Sequence, residues 1–463
     1  MLFSSITFLY FFLPVVLLLY FLAPRRLKNT VLLLASLVFY AYGEPRLVVL
    51  MLASVLSGYV HGLLIERFRG KRLGRVFLVS SICFSLAPLL VFKYADFFLT
   101  NLNALGASLP LLKLALPIGI SFYTFQILSY TVDVARGTTK AQRNIIDLAT
   151  YIALFPQLIA GPIVRYTDVE AALRTRTHST EAVGDGALRF SIGLGKKVLL
   201  ANLLGELCAA LKAAEPSVLG SWGYAVSLCL QIYFDFSGYS DMAIGLGTML
   251  GFRFPENFNY PFIAKSATEF WRRWHMTLGS WFRDYVYIPL GGSRVGAWKK
   301  VRNILIVWCL TGFWHGASWN FVAWGLFFGV LLIAEKLFFG RWLEKAPRAL
   351  QHVYLLLAAL ISFLIFNAAT LADAGKAIAG LFGGAPFTST QGLYSLSSYL
   401  VVLVLAALGA TPLPKMLFTR FAATPAGGKL TPILSLLFMA ALLLVSTAYL
   451  VDGSFNPFLY FRF

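Results

Sequence analysis

The sequence predicts an all-α protein that crosses a membrane several times. Hydrophobic residues make up 59% of the 463-residue chain and charged residues only 13%. Several stretches with few or no charges reach the roughly 18 to 20 residues that cross a bilayer as a helix. Hydrophilic segments between them are too short for a soluble domain, so one membrane domain over residues 1–463 is the economical interpretation.

The predicted membrane helices follow one another along the chain. The first, over residues 2–23, lacks a basic leader and a small-residue cleavage pattern, so we expect it to be retained rather than removed as a signal peptide. A hairpin that turns at residues 43–45 comes next. Further spans are predicted from apolar runs at residues 76–92, 114–132, 217–234, 350–372, 395–413 and 430–451.

Basic residues indicate the orientation, because short cytoplasmic loops carry an excess of Lys and Arg. Such loops follow the first span and the hairpin, with the bases Arg25, Arg26, Lys28, Arg67, Arg69, Lys71, Arg72 and Arg75. We therefore place both loops in the cytoplasm and the N-terminus outside. The net charge of +19 arises in such loops and suits anionic lipid headgroups, so we expect membrane lipids as partners and no nucleic acid.

Two apolar segments are unsuited to crossing as one straight helix. In residues 145–164, Pro156 and Pro162 interrupt the helix. Residues 303–334 carry no charge and would form a helix of about 48 Å, longer than the roughly 30 Å hydrocarbon core. Glycines and hydroxyls in residues 311–318 favour a break there and a hairpin-like pair of helices. Broken helices persist at membrane depth only where protein or a water-lined cavity satisfies the backbone, so we expect a polar path.

His315 lies inside this charge-free run of residues 303–334. Burying a titratable ring in a bilayer costs free energy unless it finds partners or faces a cavity, so an intramembrane histidine is a functional-site candidate. Desolvation favours the neutral imidazole, which can accept a proton from an attacking hydroxyl. The structural alternative is a packed histidine bonded to a backbone carbonyl at the break. Trp314, Trp319 and Trp324 could line the path, although membrane tryptophans are more often packing or interface residues.

A capping box formed by Ser266 and Glu269 predicts an amphipathic helix over residues 266–281 at the cytoplasmic interface. Four large apolar side chains would share one of its faces: Phe270, Trp274, Leu278 and Trp281. Interfacial anchoring explains this pattern. Alternatively, the segment receives an anionic, phosphate-bearing donor, with His275 near the mouth of the path. The donor-binding candidates are then Arg272, Arg273, Trp274 and Lys299.

Asp235 and Asp241 bring two carboxylates into an otherwise charge-free region. On one helix they would point to different faces and would not form an acid/base pair. We favour structural pairing with Arg residues or backbone donors over a direct role in the path. The four cysteines lack a Cys-x-x-Cys pair, and the sequence has no metal-ligand spacing, so we predict neither disulfides nor a metal site.

Four motifs together resemble the membrane-bound O-acyltransferase family. They are the sequences FPQLIAGP at residues 155–162, the stretch at 235–247, EFWRRWH at 269–275 and GFWHG at 312–316. Within the family, the chain is similar to members that O-acetylate bacterial polysaccharides of the alginate, cellulose or peptidoglycan type. The resemblance implies a bundle of about 11 transmembrane helices, with re-entrant or broken helices around a central tunnel.

The resemblance also implies a function. Acetyl-CoA would be the donor substrate on the cytoplasmic side of the bacterial inner membrane, with no permanently bound cofactor. The family's essential histidine falls on His315, and a second, less invariably required one falls on His275. Members of this branch work with a periplasmic or membrane-tethered Ser-hydrolase-like acetyltransferase that acts on the polysaccharide acceptor.

In the C-terminal residues 458–463, Tyr460 is one of four aromatic residues and lies close to an arginine in sequence. The charge rule places this tail on the external side, where an aromatic interface belt is one interpretation. The tail also resembles the C-terminal motif of small partner proteins in lipoteichoic-acid D-alanylation. This likeness leads to the hypothesis that Tyr460 receives the acyl group before relay.

Two other classes remain open from the sequence. A transporter of an acylated carrier or small solute would use His315 and Asp235 as gating or proton-relay groups. Transporters often contain inverted repeats, and the sequence shows none, which favours the acyltransferase. The third class is a scaffold that only recruits an external transferase.

Overall fold

The structure is a computed structural model that describes residues 1–453. Within this range the regular secondary structure is entirely helical, which confirms the predicted fold class. The chain divides into two compact units, each described by itself. The N-terminal unit comprises Met1–Ala187 and Met242–Pro255, and the C-terminal unit comprises Leu188–Asp241 and Glu256–Phe463. Tyr460 lies outside the described residues.

The α-helices are numbered in chain order. Those of the first part of the chain are α1 (Leu13–Leu22), α2 (Lys28–Gly43), α3 (Val48–Arg67), α4 (Arg72–Leu89), α5 (Ala95–Ala104), α6 (Ile120–Arg136), α7 (Ile145–Ala153), α8 (Phe155–Leu158) and α9 (Tyr166–Arg174). The later ones are α10 (Thr180–Gly195), α11 (Leu203–Ala213), α12 (Val218–Met249), α13 (Ala267–Trp271), α14 (Met276–Phe282), α15 (Ala297–His315), α16 (Trp319–Ala334), α17 (Gly340–Lys345), α18 (Arg348–Asn367), α19 (Leu371–Ala379), α20 (Thr390–Ser398), α21 (Leu400–Gly409), α22 (Leu413–Ala422) and α23 (Pro425–Val451).

Five helical segments of the described chain are long and apolar enough to cross a bilayer. They are Val48–Arg67, Arg72–Ala104, Trp319–Lys345, Arg348–Asn367 and Pro425–Val451. The predicted span at residues 395–413 is instead a pair, α20 and α21, bent by 56° at Tyr399, and it gives a sixth crossing if the pair counts as one. The count of about 11 spans and the central tunnel stay predictions.

The core of the N-terminal unit contains buried helices and a segment in which the helix is interrupted. Helix α6 begins at Ile120, so of the span predicted at 114–132 only residues 120–132 are helical, and the helix is buried along almost its whole length. Two glycines in the left-handed region flank this helix, Gly119 with φ 73° and Gly137 with φ 82°. A left-handed glycine such as Gly137 commonly follows the last residue of a helix. The predicted break in 145–164 is confirmed, because α7 ends at Ala153 and only the short α8 follows.

Helices α15 and α16 of the C-terminal unit confirm the hairpin predicted for residues 303–334. The chain reverses at residues 316–318, and the two helices pack with their backbones in contact. A Cβ on Gly312 would overlap the backbone oxygen of Phe321, and one on Gly325 would overlap that of Trp308. Only glycine lets the helices approach this closely, as in other membrane helix pairs with small residues at the interface.

The two carboxylates of α12 are held in ion pairs, which agrees with the prediction of structural pairing, although lysines take part where Arg or backbone donors were expected. Asp235 lies 2.6 Å from Lys197, and both side chains are almost fully buried, 3% and 2% exposed. Asp241 contacts Lys196 at 2.6 Å and Arg189 at 2.9 Å. Burying an unpaired charge costs free energy, so the lysines beside Asp235 and Asp241 stabilise the fold by neutralising these carboxylates. We assign both carboxylates structural roles.

Replacing Gly312 by alanine should destabilise the α15–α16 hairpin. The added methyl must push the two backbones apart, which costs about 1–3 kcal/mol for overpacking of this kind. A lower melting temperature of the purified protein would report the loss. Gly375→Ala in α19 is the matched control, because a Cβ there meets nothing within 4 Å. An equal melting temperature for wild type and Gly312→Ala would contradict the close contact.

Candidate active site

His315 ends α15 and lies in an aromatic pocket of the C-terminal unit. The residue is 6% exposed. Three rings surround the imidazole with centroids 4.9, 5.0 and 5.3 Å away: Trp314, Trp324 and Phe366. All meet it edge to face, at interplanar angles of 79°, 84° and 81°. This aromatic cage limits the access of bulk water to the imidazole.

The cage is held by contacts around the turn between α15 and α16. Gly316 belongs here, because a Cβ on it would overlap the ring of Phe321. The Asn320 side chain donates to the backbone oxygens of Phe366 at 3.2 Å and Ala368 at 2.9 Å. These bonds fix the C-terminal end of α18 against α16, and so hold the Phe366 ring beside His315.

His275 does not lie on a continuous amphipathic helix, so the helix predicted over residues 266–281 is wrong. Helix α13 ends at Trp271, and α14 begins at Met276. Between them His275 adopts the left-handed conformation, with φ 42° and ψ 52°. Non-glycine residues rarely adopt this conformation, and such strained residues cluster at functional sites. The break turns the His275 side chain inward, where it is 1% exposed.

Asn257 holds the His275 ring in place. Its Oδ1 lies 2.9 Å from Nδ1 of His275 and also accepts a 2.8 Å hydrogen bond from the Thr277 hydroxyl. Its Nδ2 donates to Ser240 at 3.1 Å. Because Oδ1 can only accept, the shared proton belongs to Nδ1 of His275. The backbone N–H of Met276 donates to the Asn257 carbonyl at 3.0 Å, which fixes the strained turn.

This arrangement leaves Nε2 of His275 as a lone-pair acceptor. Burial lowers the pKa of His275 to about 3, so the imidazole is neutral at physiological pH. With the proton on Nδ1, Nε2 carries the lone pair, and it has no hydrogen-bond partner among the described residues. A buried acceptor of this kind can take a hydrogen bond from a hydroxyl or a proton from a reacting group.

The two histidines flank one tryptophan. The Trp314 ring lies 4.9 Å from the His315 ring and 6.1 Å from the His275 ring, centroid to centroid. The Phe236 ring packs edge to face against the His275 ring, with 4.6 Å between the ring centroids. The structure therefore brings together the two histidines that the sequence singled out, although they lie on different elements. Trp319, by contrast, is 55% exposed and lies outside the cage.

The four donor-binding candidates lie in different settings. Arg272 and Lys299 are exposed. Arg273 forms an ion pair with Glu269 at 2.9 Å and donates to the Asn259 carbonyl at 3.1 Å. Trp274 is 5% exposed and packs among aromatic rings, stacked on Phe270 at 5.4 Å. Its environment is that of a packing residue next to His275.

Glu335 is a site-supporting residue that the sequence analysis missed. This buried carboxylate accepts from the backbone of Ala267 at 2.6 Å, from the backbone and hydroxyl of Thr268, and from the Tyr354 hydroxyl at 3.1 Å. It thereby joins the end of α16 to the start of α13. A carboxylate that directly follows a long apolar run was the available signal.

The chain is similar in sequence to known proteins. The model of the MBOAT, or membrane-bound O-acyltransferase, family matches residues 138–372, which include both histidines. The chain is 40% identical to the probable alginate O-acetylase AlgI of Azotobacter vinelandii over 100% of both chains. It is 34% identical to the peptidoglycan O-acetyltransferase of Helicobacter pylori, over 83% of this chain and 80% of that protein.

A more distant relative is the teichoic acid D-alanyltransferase of Bacillus subtilis, 31% identical over 49% of this chain and 60% of its own. These relatives transfer acyl groups, as their names state, and the family model covers the segment that carries the aromatic cage. The chain is an acyltransferase and belongs to the membrane-bound O-acyltransferase family.

Proposed function

We propose that this protein transfers an acetyl group from cytoplasmic acetyl-CoA, across the bacterial inner membrane, for O-acetylation of an extracytoplasmic polysaccharide. The observation that carries the proposal is the buried imidazole of His315 in its aromatic cage, at the turn of the α15–α16 hairpin. A thioester is already activated, so the protein must mainly align it with a hydroxyl, accept a proton and exclude water.

In the proposed reaction His315 is the general base. It accepts the proton of the attacking hydroxyl, whose oxygen bonds to the carbonyl carbon of the thioester. The carbon–sulfur bond then breaks, and the proton passes from the imidazole to the departing thiolate, which leaves as the free thiol. The aromatic cage contributes by limiting water, which would otherwise hydrolyse the thioester.

His275 has a second role in this proposal. Its fixed Nδ1 proton and open Nε2 make it a hydrogen-bond acceptor that can orient a hydroxyl near Trp314. The donor's phosphates would bind the exposed bases Arg272 and Lys299, with Arg273 and Trp274 holding the segment that carries Arg272. The central tunnel would connect this cytoplasmic side with the external acceptor.

The relatives support the proposed class of acceptor. Their names identify alginate and peptidoglycan as the polymers that those proteins O-acetylate. We propose a polysaccharide of this type for the present chain, with a periplasmic or membrane-tethered Ser-hydrolase-like acetyltransferase as the partner that completes transfer. An operon containing such a partner gene would support this part of the proposal.

His315→Ala should abolish polymer acetylation in cells while the protein still inserts and accumulates. Loss of a general base typically lowers the rate by about 10²–10⁴-fold. The measurement is the ester content of the extracytoplasmic polymer, alongside immunoblots of the membrane fraction. His352→Gln is the matched control, because this half-buried histidine bonds the Ala264 carbonyl, away from the cage. Normal acetylation in His315→Ala would refute the assignment.

The same variants separate an enzyme from a transporter or a scaffold. Purified wild-type protein should release free thiol from acetyl-CoA when an acceptor is present, and His315→Ala should not. A transporter would leave the thioester intact. A scaffold would retain its function after loss of a single imidazole, provided that the protein still folds.

Asn257→Asp should lower the activity by changing the protonation of His275. Burial now keeps the pKa of His275 near 3, and a carboxylate at 2.9 Å would raise it by favouring the imidazolium. Nε2 would then carry a proton and lose its acceptor role. We expect a rate that recovers as pH rises through the new pKa.

The control for this variant is Thr277→Val, which removes the hydroxyl that donates to Oδ1 of Asn257 but leaves the imidazole untouched. It should retain the wild-type pH profile. A flat pH profile for Asn257→Asp, with normal rate, would contradict the acceptor role of Nε2.

Tyr460→Phe tests the proposed relay through the C-terminal tail. If the Tyr460 phenol carries the acyl group toward the periplasmic partner, removal of its oxygen should abolish polymer acetylation in cells. Thiol release from acetyl-CoA with a small soluble acceptor should persist, because the general base is unchanged. Unaltered in-cell acetylation in Tyr460→Phe would show that the relay is wrong.

A further inference from the structure

A second polar cluster, in the N-terminal unit, has no part in the acyl-transfer site. It lies where α1 ends and the loop after α9 meets the segment around Leu250. The fully buried ring of Tyr20 is its centre. Two cations lie near that ring, Lys28 with Nζ at 4.2 Å and Arg176 with Cζ at 5.7 Å from the centroid.

The hydrogen bonds of Tyr20 fix this cluster. Its hydroxyl donates to the Leu250 carbonyl at 2.7 Å, which uses its only proton. It therefore accepts from Nε of Arg176 at 2.9 Å and from Nε2 of His178 at 2.8 Å. Lys28 donates to the Tyr20 backbone carbonyl at 2.9 Å. Three basic side chains are thus held around one phenol.

Arg176 is held in a fixed position, but not all of its N–H groups donate hydrogen bonds to the described residues. Its Nη1 donates to Asn29 at 2.7 Å and to the Ala172 carbonyl at 3.0 Å, and its guanidinium lies 4.5 Å from the Phe252 ring centre. Its Nη2 has no hydrogen-bond partner in the part of the chain that the structure describes, and two protons of Lys28 are also spare.

The positive charge of the cluster is not balanced by a carboxylate. Within residues 1–453, none of its three bases forms an ion pair, and the nearby Asp147 bonds the Asn29 amide instead. Burial first, and then the charges of Lys28 and Arg176, hold the pKa of His178 below its usual 6.5. Lys28 and Arg176 are held close together although their positive charges repel each other. An anionic ligand between them would stabilise this arrangement.

The surroundings indicate what kind of anion. The adjoining turn of α1 presents bulky apolar side chains outward: Leu18, Leu19, Phe21 and Leu22, between 41% and 74% exposed. Arg25 and Arg26 follow directly. A free metabolite needs no exposed apolar strip beside its phosphate, whereas a phospholipid presents a phosphate next to acyl chains. The charge rule places this end of α1 at the cytoplasmic leaflet, where anionic lipids concentrate.

We propose that Lys28 and Arg176, beside the His178 ring, form a binding site for the phosphate of an anionic phospholipid. The spare N–H groups of Lys28 and Arg176 donate to the phosphate oxygens, and the acyl chains lie along the exposed side of α1. Charge-assisted hydrogen bonds to phosphate are strong, which favours binding. Because Arg176 is already oriented, binding requires little further ordering of its side chain.

The test measures the melting temperature of the purified full-length chain in detergent with added phosphatidylglycerol or phosphatidylcholine. Phosphatidylglycerol should raise the melting temperature of the wild type more than phosphatidylcholine does. The double variant Lys28→Gln/Arg176→Gln should lose at least half of this difference. The matched control Lys71→Gln/Arg72→Gln removes two exposed positive charges at the start of α4 and should keep this difference.

Thr177→Glu covers the case in which the double variant does not fold. Thr177 is exposed between Arg176 and His178, so a glutamate there adds an anion beside the site without removing a described contact. It should weaken the effect of phosphatidylglycerol, and Thr177→Gln should not. Equal effects of phosphatidylglycerol on all variants would overturn the proposal. It would equally fail if inorganic phosphate or acetyl-CoA, rather than the lipid, gave the Arg176-dependent shift.

Discussion

The contact between Gly312 and Gly325 is the constraint on which the C-terminal unit depends. It lets α15 and α16 pack backbone to backbone, so the chain can reverse within three residues. That reversal leaves His315 at the end of one helix and brings Trp324 of the next against its ring. Without the close approach, the residues would form a single rod or a loose pair, and the cage around the imidazole would open.

The second histidine is positioned by a different device. His275 is held in a strained backbone conformation by hydrogen bonds from a segment that is distant in sequence, around Asn257. Strain of this kind persists only where the surroundings over-determine it, and here one buried amide bonds both the imidazole and its neighbour Thr277. One histidine is therefore placed by helix packing and the other by a polar clamp.

The sequence predicted those features that depend on local composition. Uniform hydrophobicity gave the helical membrane class, and the excess length and glycines of residues 303–334 gave the hairpin and His315 at its turn. The prediction of one continuous helix over residues 266–281 was wrong. The apolar residues of this segment recur at the helical period, but long-range contacts determine its backbone conformation. Asn257 lies 18 residues from His275, and Asn320 lies 46 from Phe366, so no local pattern could reveal either contact.

Glu335 ties a membrane-spanning helix to the segment that carries His275. It lies at the end of α16, whose first turns contribute Trp324 to the cage, and it accepts hydrogen bonds from the start of α13. A change in the tilt of α16 therefore displaces the surroundings of both imidazoles together. Tilt adjusts to the thickness of the hydrocarbon layer, so a thicker or thinner bilayer would change the spacing of the two imidazoles.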